Sequence, residues 1–303
     1  MEAKIKDLIE EKIAAIESKP TAFITAVDKA MEKLYKELLA QLQELATENG
    51  ILVFDAANIG KINAILEKLK SSLFGGEYLK ALSGFAIEIQ KQAELSNKLL
   101  QAQGIKFKNN DTYEAMIKQA QHNTLLLFDE NAVSTELLQP LNKILTSSLV
   151  NRVSQLQAGE ALRDAMTGEN ALFQKYANTY AHDAFATADR QYANLVNNDF
   201  GLVFALYDGS RIRGTRYFCC VRKGNFFHRD EIASWGQDES LWENPHEGGT
   251  CEAAKGGGRK PDTNSSNIFD YLGGYGCIDI LVWMAPQYVP LSDIARAKSL
   301  GYY

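Results

Sequence analysis

Cysteine and histidine side chains near the C-terminus are the residues best suited to metal or redox chemistry. In chain order they are Cys219, Cys220, His228, His246, Cys251 and Cys277. Structural zinc sites usually show paired ligands about two to four residues apart, and these residues lack that pairing. The spacing therefore predicts no metal site and no cofactor, and it predicts buried free thiols in a reducing cytoplasm. Adjacent Cys219 and Cys220 point apart if they are helical, so at most one of them could join such a site.

A run of basic residues from Gly209 to Arg229 is the second candidate for chemistry. It holds no acidic residue, and its cations are Arg211, Arg213, Arg216, Arg222, Lys223 and Arg229. Guanidinium groups bind phosphate or carboxylate in bidentate geometry, so the run predicts docking to DNA or to an acidic protein. Two alternatives stay open: a solvated face, or internal pairing with nearby acids, which are Asp230, Glu231, Asp238 and Glu239.

Aromatic residues interleave with this basic run. They are Tyr217, Phe218, Phe226 and Phe227. Such residues would suit the stacking of single-stranded bases, but we expect them to lie in the core.

Three short motifs resemble catalytic or phosphate-binding elements, and each lacks its required context. His182-Asp183 resembles a phosphohydrolase dyad, but the chain has only four histidines. The run Gly256 to Lys260 lacks the preceding strand and the Lys-Ser/Thr ending of a phosphate loop. Gln237-Asp238-Glu239 matches the short Gln-x-Glu element of arginine-directed ADP-ribosyltransferases. No catalytic residue is predicted from these motifs.

Charge and hydropathy exclude some classes of protein. The formal net charge is −6, which argues against a protein that coats nucleic acid nonspecifically, since that needs a cationic surface. No apolar run reaches the length of about eighteen residues that a membrane span requires. The start, Met1-Glu2-Ala3-Lys4, shows no signal peptide. With 46% hydrophobic residues, the chain is expected to be globular, to bind no membrane and to be made in the cytoplasm.

The spacing of apolar residues and the positions of proline and glycine predict an α+β protein. Helices are expected to about residue 200, and the first is predicted to end before Pro20. A second, from Thr21, is predicted to end at Glu48 before Asn49-Gly50. The remaining helices are predicted at 55–74, 77–103, 111 onward, 135–153, 158–166 and 171–196. Strands are predicted at 202–207, 226–227 and 278–284, so the domains are a helical region 1–200 and a small α+β domain 201–303.

Two blocks in the second domain resemble one known family. The first reads Thr215-Arg216-x-x-Cys219 and continues through Arg222-x-Gly224 and a Phe-x-Arg-Asp-Glu-Ile segment to Trp235. The second reads Gly273-Gly274-Tyr-x-Cys277. This order resembles the C-terminal domain of tailed-phage minor head proteins, the Mu-F-like or phage head morphogenesis family. In that family the second block often continues to a basic residue and a histidine, where this chain has Ile278 and Asp279.

The resemblance implies a non-enzymatic virion protein of the head interior or the portal region. Its implied role is in head assembly and in DNA packaging or ejection. The implied partners are the portal or other head proteins, together with packaged DNA. Two alternatives stay open: another virion part, such as a connector or tail-associated protein, and an ADP-ribosyltransferase-type effector. From the family pattern, the two blocks are expected to pack together, with Phe218 and Tyr275 buried.

Overall fold

Helices form most of the computed structural model, which describes residues 2–168, 171–210, 215–243 and 256–303. The helices are α1 (Ala3–Leu42), α2 (Ala56–Phe74), α3 (Glu77–Ala102), α4 (Asp111–Leu126), α5 (Glu130–Val133), α6 (Gln139–Val150), α7 (Gln155–Met166), α8 (Leu172–Phe200), α9 (Tyr217–Cys220), α10 (Arg229–Trp235), α11 (Ile268–Tyr271) and α12 (Leu291–Ser299). A π-helical turn covers Ser134–Leu138, and 3-10 turns cover Glu239–Trp242 and Pro286–Tyr288. The strands are β1 (Thr47–Glu48), β2 (Ile51–Leu52), β3 (Phe204–Asp208), β4 (Asn225–His228) and β5 (Ile280–Met284). The α+β prediction is confirmed.

Local capping explains several of these bounds. The carboxylate of Asp55 accepts a hydrogen bond of 2.7 Å from the backbone N–H of Asn58 at the start of α2. Ser154 and Gln157 form a reciprocal capping box at the start of α7. Such caps satisfy the free N–H groups of the first helical turn. The bounds predicted for α2 and α3 are confirmed to within one residue.

The predicted helix end before Pro20 is wrong, because α1 continues through that residue. Proline has no N–H to donate, so the helix loses one backbone hydrogen bond there. Ile16 on one side and Phe23 on the other are both buried. The burial of apolar surface along the helix therefore outweighs the local preference of proline.

The predicted end of the second helical segment at Glu48 is also wrong. The helix ends at Leu42, and Asn49-Gly50 instead forms the turn of the β1–β2 hairpin. Asn49 has a φ of 53° and Gly50 a φ of 78°. Positive φ at both central residues defines the type I′ turn, for which Asn-Gly is the favoured sequence.

The described residues divide into two compact units. Unit 1 comprises Met1–Lys19, Ile87–Gln121 and His182–Tyr303, and unit 2 comprises Pro20–Ala86 and His122–Ala181. Unit 1 thus includes residues on both sides of the predicted boundary at residue 200. The separate domains 1–200 and 201–303 stay a prediction.

Unit 2 is helical and has an aromatic core. The rings of Phe23 and Phe85 are stacked with centroids 4.7 Å apart, and Phe128 meets Phe23 edge-on. The buried hydroxyl of Tyr78 donates a 2.7 Å hydrogen bond to the carbonyl of Phe128.

No helix in the described part of the chain is long and apolar enough to cross a membrane.

A three-stranded antiparallel sheet organises the C-terminal part of unit 1. Its order is β4-β3-β5, and the central Leu206 pairs with Phe226 on one side and Val282 on the other. All five residues of β5 are buried, which is expected of a strand whose two faces are both covered. The three predicted strands are confirmed, and their ends bring the two motif blocks to one place.

Candidate functional site

The two motif blocks contact each other, as the family pattern predicted. Cys219 in α9 and Cys277 before β5 are buried, with their sulfur atoms 4.0 Å apart. The guanidinium of Arg216 donates a 2.9 Å hydrogen bond to the carbonyl of Gly273 and another to the carbonyl of Tyr275. The blocks are therefore joined through both side chains and backbone.

The prediction of a buried Phe218 is confirmed, and that of a buried Tyr275 is wrong. Phe218 is fully buried and stacks on Trp242 with centroids 4.3 Å apart, whereas Tyr275 is 54% exposed. The Tyr275 backbone N–H donates to the carbonyl of Gly258, and its ring lies near the ammonium group of Lys260. Backbone hydrogen bonding holds the Gly273–Cys277 block in place, so the Tyr275 ring need not be buried.

Glycine is required at the close approach between the blocks. A Cβ atom on Gly273 would lie 2.3 Å from the Cys219 sulfur and 3.1 Å from the Cys277 sulfur. Gly274 and Gly224 have φ angles of +86° and +80°, which side chains disfavour. These motif glycines are explained by the fold.

Asp279 is a buried carboxylate beside the two thiols. Its Oδ2 atom lies 3.8 Å from the Cys277 sulfur and accepts a 3.1 Å hydrogen bond from the Tyr207 hydroxyl. Its Oδ1 atom lies 2.7 Å from the Lys223 ammonium, and both side chains are 3% exposed. A buried carboxylate needs such a cation and such hydrogen bonds, because desolvation disfavours its charged form.

Arg190 of α8 holds the backbone that carries these groups. Its guanidinium is almost fully buried and donates hydrogen bonds of 2.9 Å to the Cys277 carbonyl and 3.0 Å to the Asp279 carbonyl. No sequence motif marks Arg190, because its partners are main-chain atoms 87 and 89 residues away.

The two thiols differ in acidity because they share one hydrogen bond. The bond from Cys219 lowers the pKa of Cys277 to about 7, although burial opposes this. The same bond, together with burial, raises the pKa of Cys219. Burial and then the charge of Asp279 raise the pKa of Tyr207, so its hydroxyl remains a donor.

A cavity of about 80 Å³ opens beside these groups. Its lining includes Ser210, Thr215, Arg216, Lys223, Cys219, Cys277 and Asp279. One ligand atom from each of Cys219, Cys277 and Asp279 lies within 4.8 Å of the other two. Thiolates and a carboxylate suit zinc or a similar transition metal. Ligand spacing in the sequence gives no sign of this donor set, because the two cysteines are 58 residues apart.

Among the described residues, Cys220 and His228 do not join this cluster. Cys220 is disulfide-bonded, which corrects the prediction that it is a free thiol, whereas Cys219 and Cys277 are free as predicted. Cys251 and His246 lie outside the described residues. His228 accepts a hydrogen bond from the Asp230 backbone N–H and caps α10. As expected, only one of the adjacent cysteines in α9 joins the cluster.

The described members of the basic run do not form one exposed patch. Lys223 is paired with Asp279, and Arg222 is buried over the rings of Phe218 and Trp235. Arg222 also donates a 2.7 Å hydrogen bond to the Phe218 carbonyl. The prediction that Arg222 and Lys223 contact a partner is therefore corrected, since both groups are enclosed and bonded internally.

The remaining basic residues differ in their placement. Arg229 is half-buried, bonds Asn194 at 3.2 Å, and lies over the rings of Phe269 and Trp283. Arg216 is half-buried between the two blocks. Arg211 and Arg213 lie outside the described residues, so their proposed contacts stay a prediction. The aromatic side chains of Phe218, Phe226 and Phe227 are in the core, as predicted.

The three short motifs have structural roles. Asp183 pairs with Lys260 at 2.8 Å, which joins the dyad to the glycine-rich run. Within that run, Arg259 donates to the carbonyls of Gly236 and Thr263. Asp238 caps the 3-10 turn that begins at Glu239.

Comparisons with protein-family models, curated proteins and solved structures found no match to this chain.

Substitution of Arg216 by alanine is expected to destabilise unit 1 by about 1–3 kcal/mol. The change removes two charge-assisted hydrogen bonds and leaves two carbonyl oxygens without their donor. Thermal unfolding of the purified full chain measures the effect. Arg163→Ala is the control, because Arg163 is exposed and should change stability by less than about 0.5 kcal/mol. Equal stability of the two variants would contradict a joining role for Arg216.

Proposed function

We propose that this chain is a non-enzymatic minor head protein of a tailed phage. It would act in head assembly and in DNA packaging or ejection, from the head interior or the portal region. The partners proposed are the portal or other head proteins, with packaged DNA as a further contact.

One observation carries the proposal: the residues of the family-like pattern are those on which the C-terminal fold depends. Arg216 joins the two blocks, Cys219 meets Cys277, and Gly273 allows that approach. Trp235 packs against Phe218 with ring centroids 5.7 Å apart. A pattern that specifies such contacts is a signature of a whole domain, which supports a family-level resemblance over a chance match of separate residues.

The roles of these residues also favour an assembly function over catalysis. Arg216 bonds main-chain carbonyls, and Asp238 and Glu239 of the Gln-x-Glu element serve in a cap and an ion pair with Arg259. The polar atoms of these residues are already bonded within the fold. Such residues contribute to a binding surface by maintaining its shape. We therefore assign no catalytic residue.

Sedimentation of phage particles tests the proposal. Lysates of cells producing the phage that encodes this chain are separated into tail-less heads, free tails and soluble protein. The chain is expected to sediment with heads before tails join them. Recovery with free tails alone would instead support a tail-associated protein, and recovery only as soluble protein would contradict a virion role.

The double variant Arg211→Ala/Arg213→Ala tests the proposed basic contact. If these residues bind phosphates or an acidic partner, fewer copies should be found in each head. Binding of the wild-type chain to phosphates or to an acidic partner should weaken as the salt concentration increases. Arg163→Ala again serves as the matched control. Unchanged incorporation together with an unchanged salt response would place the docking surface elsewhere.

A further inference from the structure

The cluster of Cys219, Cys277 and Asp279 has the dimensions of a metal site. The two sulfur atoms are 4.0 Å apart, and the Cys277 sulfur is 3.8 Å from Asp279 Oδ2. In a tetrahedral zinc site with Zn–S of about 2.3 Å, two sulfurs lie about 3.8 Å apart. A sulfur and a carboxylate oxygen lie about 3.6 Å apart in the same geometry. The third edge, between the Cys219 sulfur and Asp279, is within 4.8 Å, so closure around an ion would require a movement of up to about 1 Å along that edge.

Binding of a divalent ion leaves the net charge of the donor set and Lys223 unchanged. Two thiolates and the Asp279 carboxylate supply three negative charges, and the ion with the paired Lys223 supplies three positive charges. The two thiol protons leave to solvent when the ion binds. Without an ion, the neutral thiols and the Lys223–Asp279 pair also sum to zero. Burial of a bound ion thus adds no uncompensated charge, which is the main electrostatic cost in such a site.

The groups around the donor atoms are already held in place. Tyr207 donates to Asp279 Oδ2, and Arg190 donates to the carbonyls of both Cys277 and Asp279. Outer hydrogen bonds of this kind orient ligands and raise metal affinity. Gly273 brings its backbone against the Cys219 sulfur, where a Cβ atom would collide. The position of the ligands is therefore determined by several independent contacts.

We propose that Cys219, Cys277 and Asp279 bind one zinc ion, with its fourth position directed to the adjoining cavity. The soft thiolates select zinc over magnesium or calcium. Because this cavity is lined by all three ligand residues, a water molecule or a small ligand can occupy the fourth position. The bound ion would tie α9 to the start of β5. This inference is independent of any role in a virion.

Zinc analysis of the full chain, purified with a reducing agent and without chelator, tests the proposal first. About one zinc per chain is expected. The zinc is then removed with a chelator and replaced by Co²⁺, which should produce the thiolate-to-cobalt charge-transfer absorption. Zinc removal should lower the unfolding temperature, because an ion that binds only the folded state stabilises it.

Single substitutions locate the ion. Cys219→Ser and Cys277→Ser each remove one of the two thiolates and are each expected to reduce the charge-transfer absorption by about half or more, whereas the exposed control Arg163→Ala should retain it in full. Asp279→Asn should weaken zinc binding about ten-fold or more. Circular dichroism verifies that each variant folds, and the wild-type cobalt spectrum tests thiolate ligation without any variant.

Three results would overturn the proposal. The first is wild-type protein with no zinc and no cobalt–thiolate absorption. The second is absorption that is undiminished in both Cys219→Ser and Cys277→Ser, which would place the ion elsewhere. The third is a disulfide between Cys219 and Cys277 in the reduced preparation, seen by mass spectrometry of peptides, which would make the pair a redox couple instead.

Discussion

Replacement of Lys12 by methionine is expected to destabilise unit 1 by about 3–5 kcal/mol. The Lys12 ammonium donates to the Asp189 carboxylate, and these side chains are 1% and 0% exposed. Lys12 also donates a 2.6 Å hydrogen bond to the Ser96 hydroxyl. Its removal leaves the Asp189 charge buried with no other ion-pair partner among the described residues, and this desolvation cost produces the loss. Denaturant unfolding of the full chain at neutral pH measures it.

The double variant Lys12→Met/Asp189→Leu separates the buried charge from packing. Replacing both partners with apolar side chains removes the uncompensated charge, so stability should return to within about 1–2 kcal/mol of the wild type. Lys6→Met is the matched control, since Lys6 lies on the same helix and its side chain is 69% exposed. A Lys12→Met variant as stable as this control would show that the ion pair does not stabilise the fold.

Substitution of Gly274 by alanine is expected to destabilise unit 1 by about 3 kcal/mol or more. Gly274 has a φ of +86°, and a Cβ atom there would lie 1.8 Å from the backbone oxygen of Gly258. The left-handed conformation costs an L-residue about 1–2 kcal/mol, and overpacking costs about 1–3 kcal/mol more. The obstructing atom belongs to the backbone, so a side-chain rotation cannot relieve the contact.

Gly276→Ala is the matched control for Gly274→Ala. Gly276 also has a positive φ, +64°, but no atom of the described residues lies within 4 Å of its Cβ position. Only the conformational cost of about 1–2 kcal/mol should then apply. Thermal unfolding of both variants gives the comparison. Equal losses would show that the close approach of Gly274 to Gly258 has no energetic consequence.

Local sequence was sufficient for most helices and strands. The cap at Asp55 and the apolar spacing of the following residues determine α2, and the run from Phe204 onward is apolar enough to predict β3. Both features act between near neighbours in the chain, so they can be recognised from the sequence without knowledge of the tertiary structure. Pro20 shows the limit of this reading, because the local preference there is overcome by burial on both sides.

The blocks that bear the family resemblance could also be identified from sequence, and their contact was predicted. The metal binding proposed for these blocks could not be predicted from the sequence, because it depends on residues that the pattern does not specify. Asp279 reaches the Cys277 sulfur only in the folded loop, Tyr207 comes from β3, and Lys223 occupies a position that the first block leaves unspecified. Spacing rules describe ligands close in the chain, whereas these thiols are 58 residues apart.

The buried charges were likewise decided only by tertiary structure. In sequence, Lys12 and Arg222 look like ordinary surface cations, yet one is paired with Asp189 and the other lies over Phe218 and Trp235. Asp189 lies four residues from both Phe185 and Ala193, on the buried side of α8, and that spacing is the one local signal of its burial. A charge is exposed or enclosed according to what packs over it, and that is determined by segments far away in the chain.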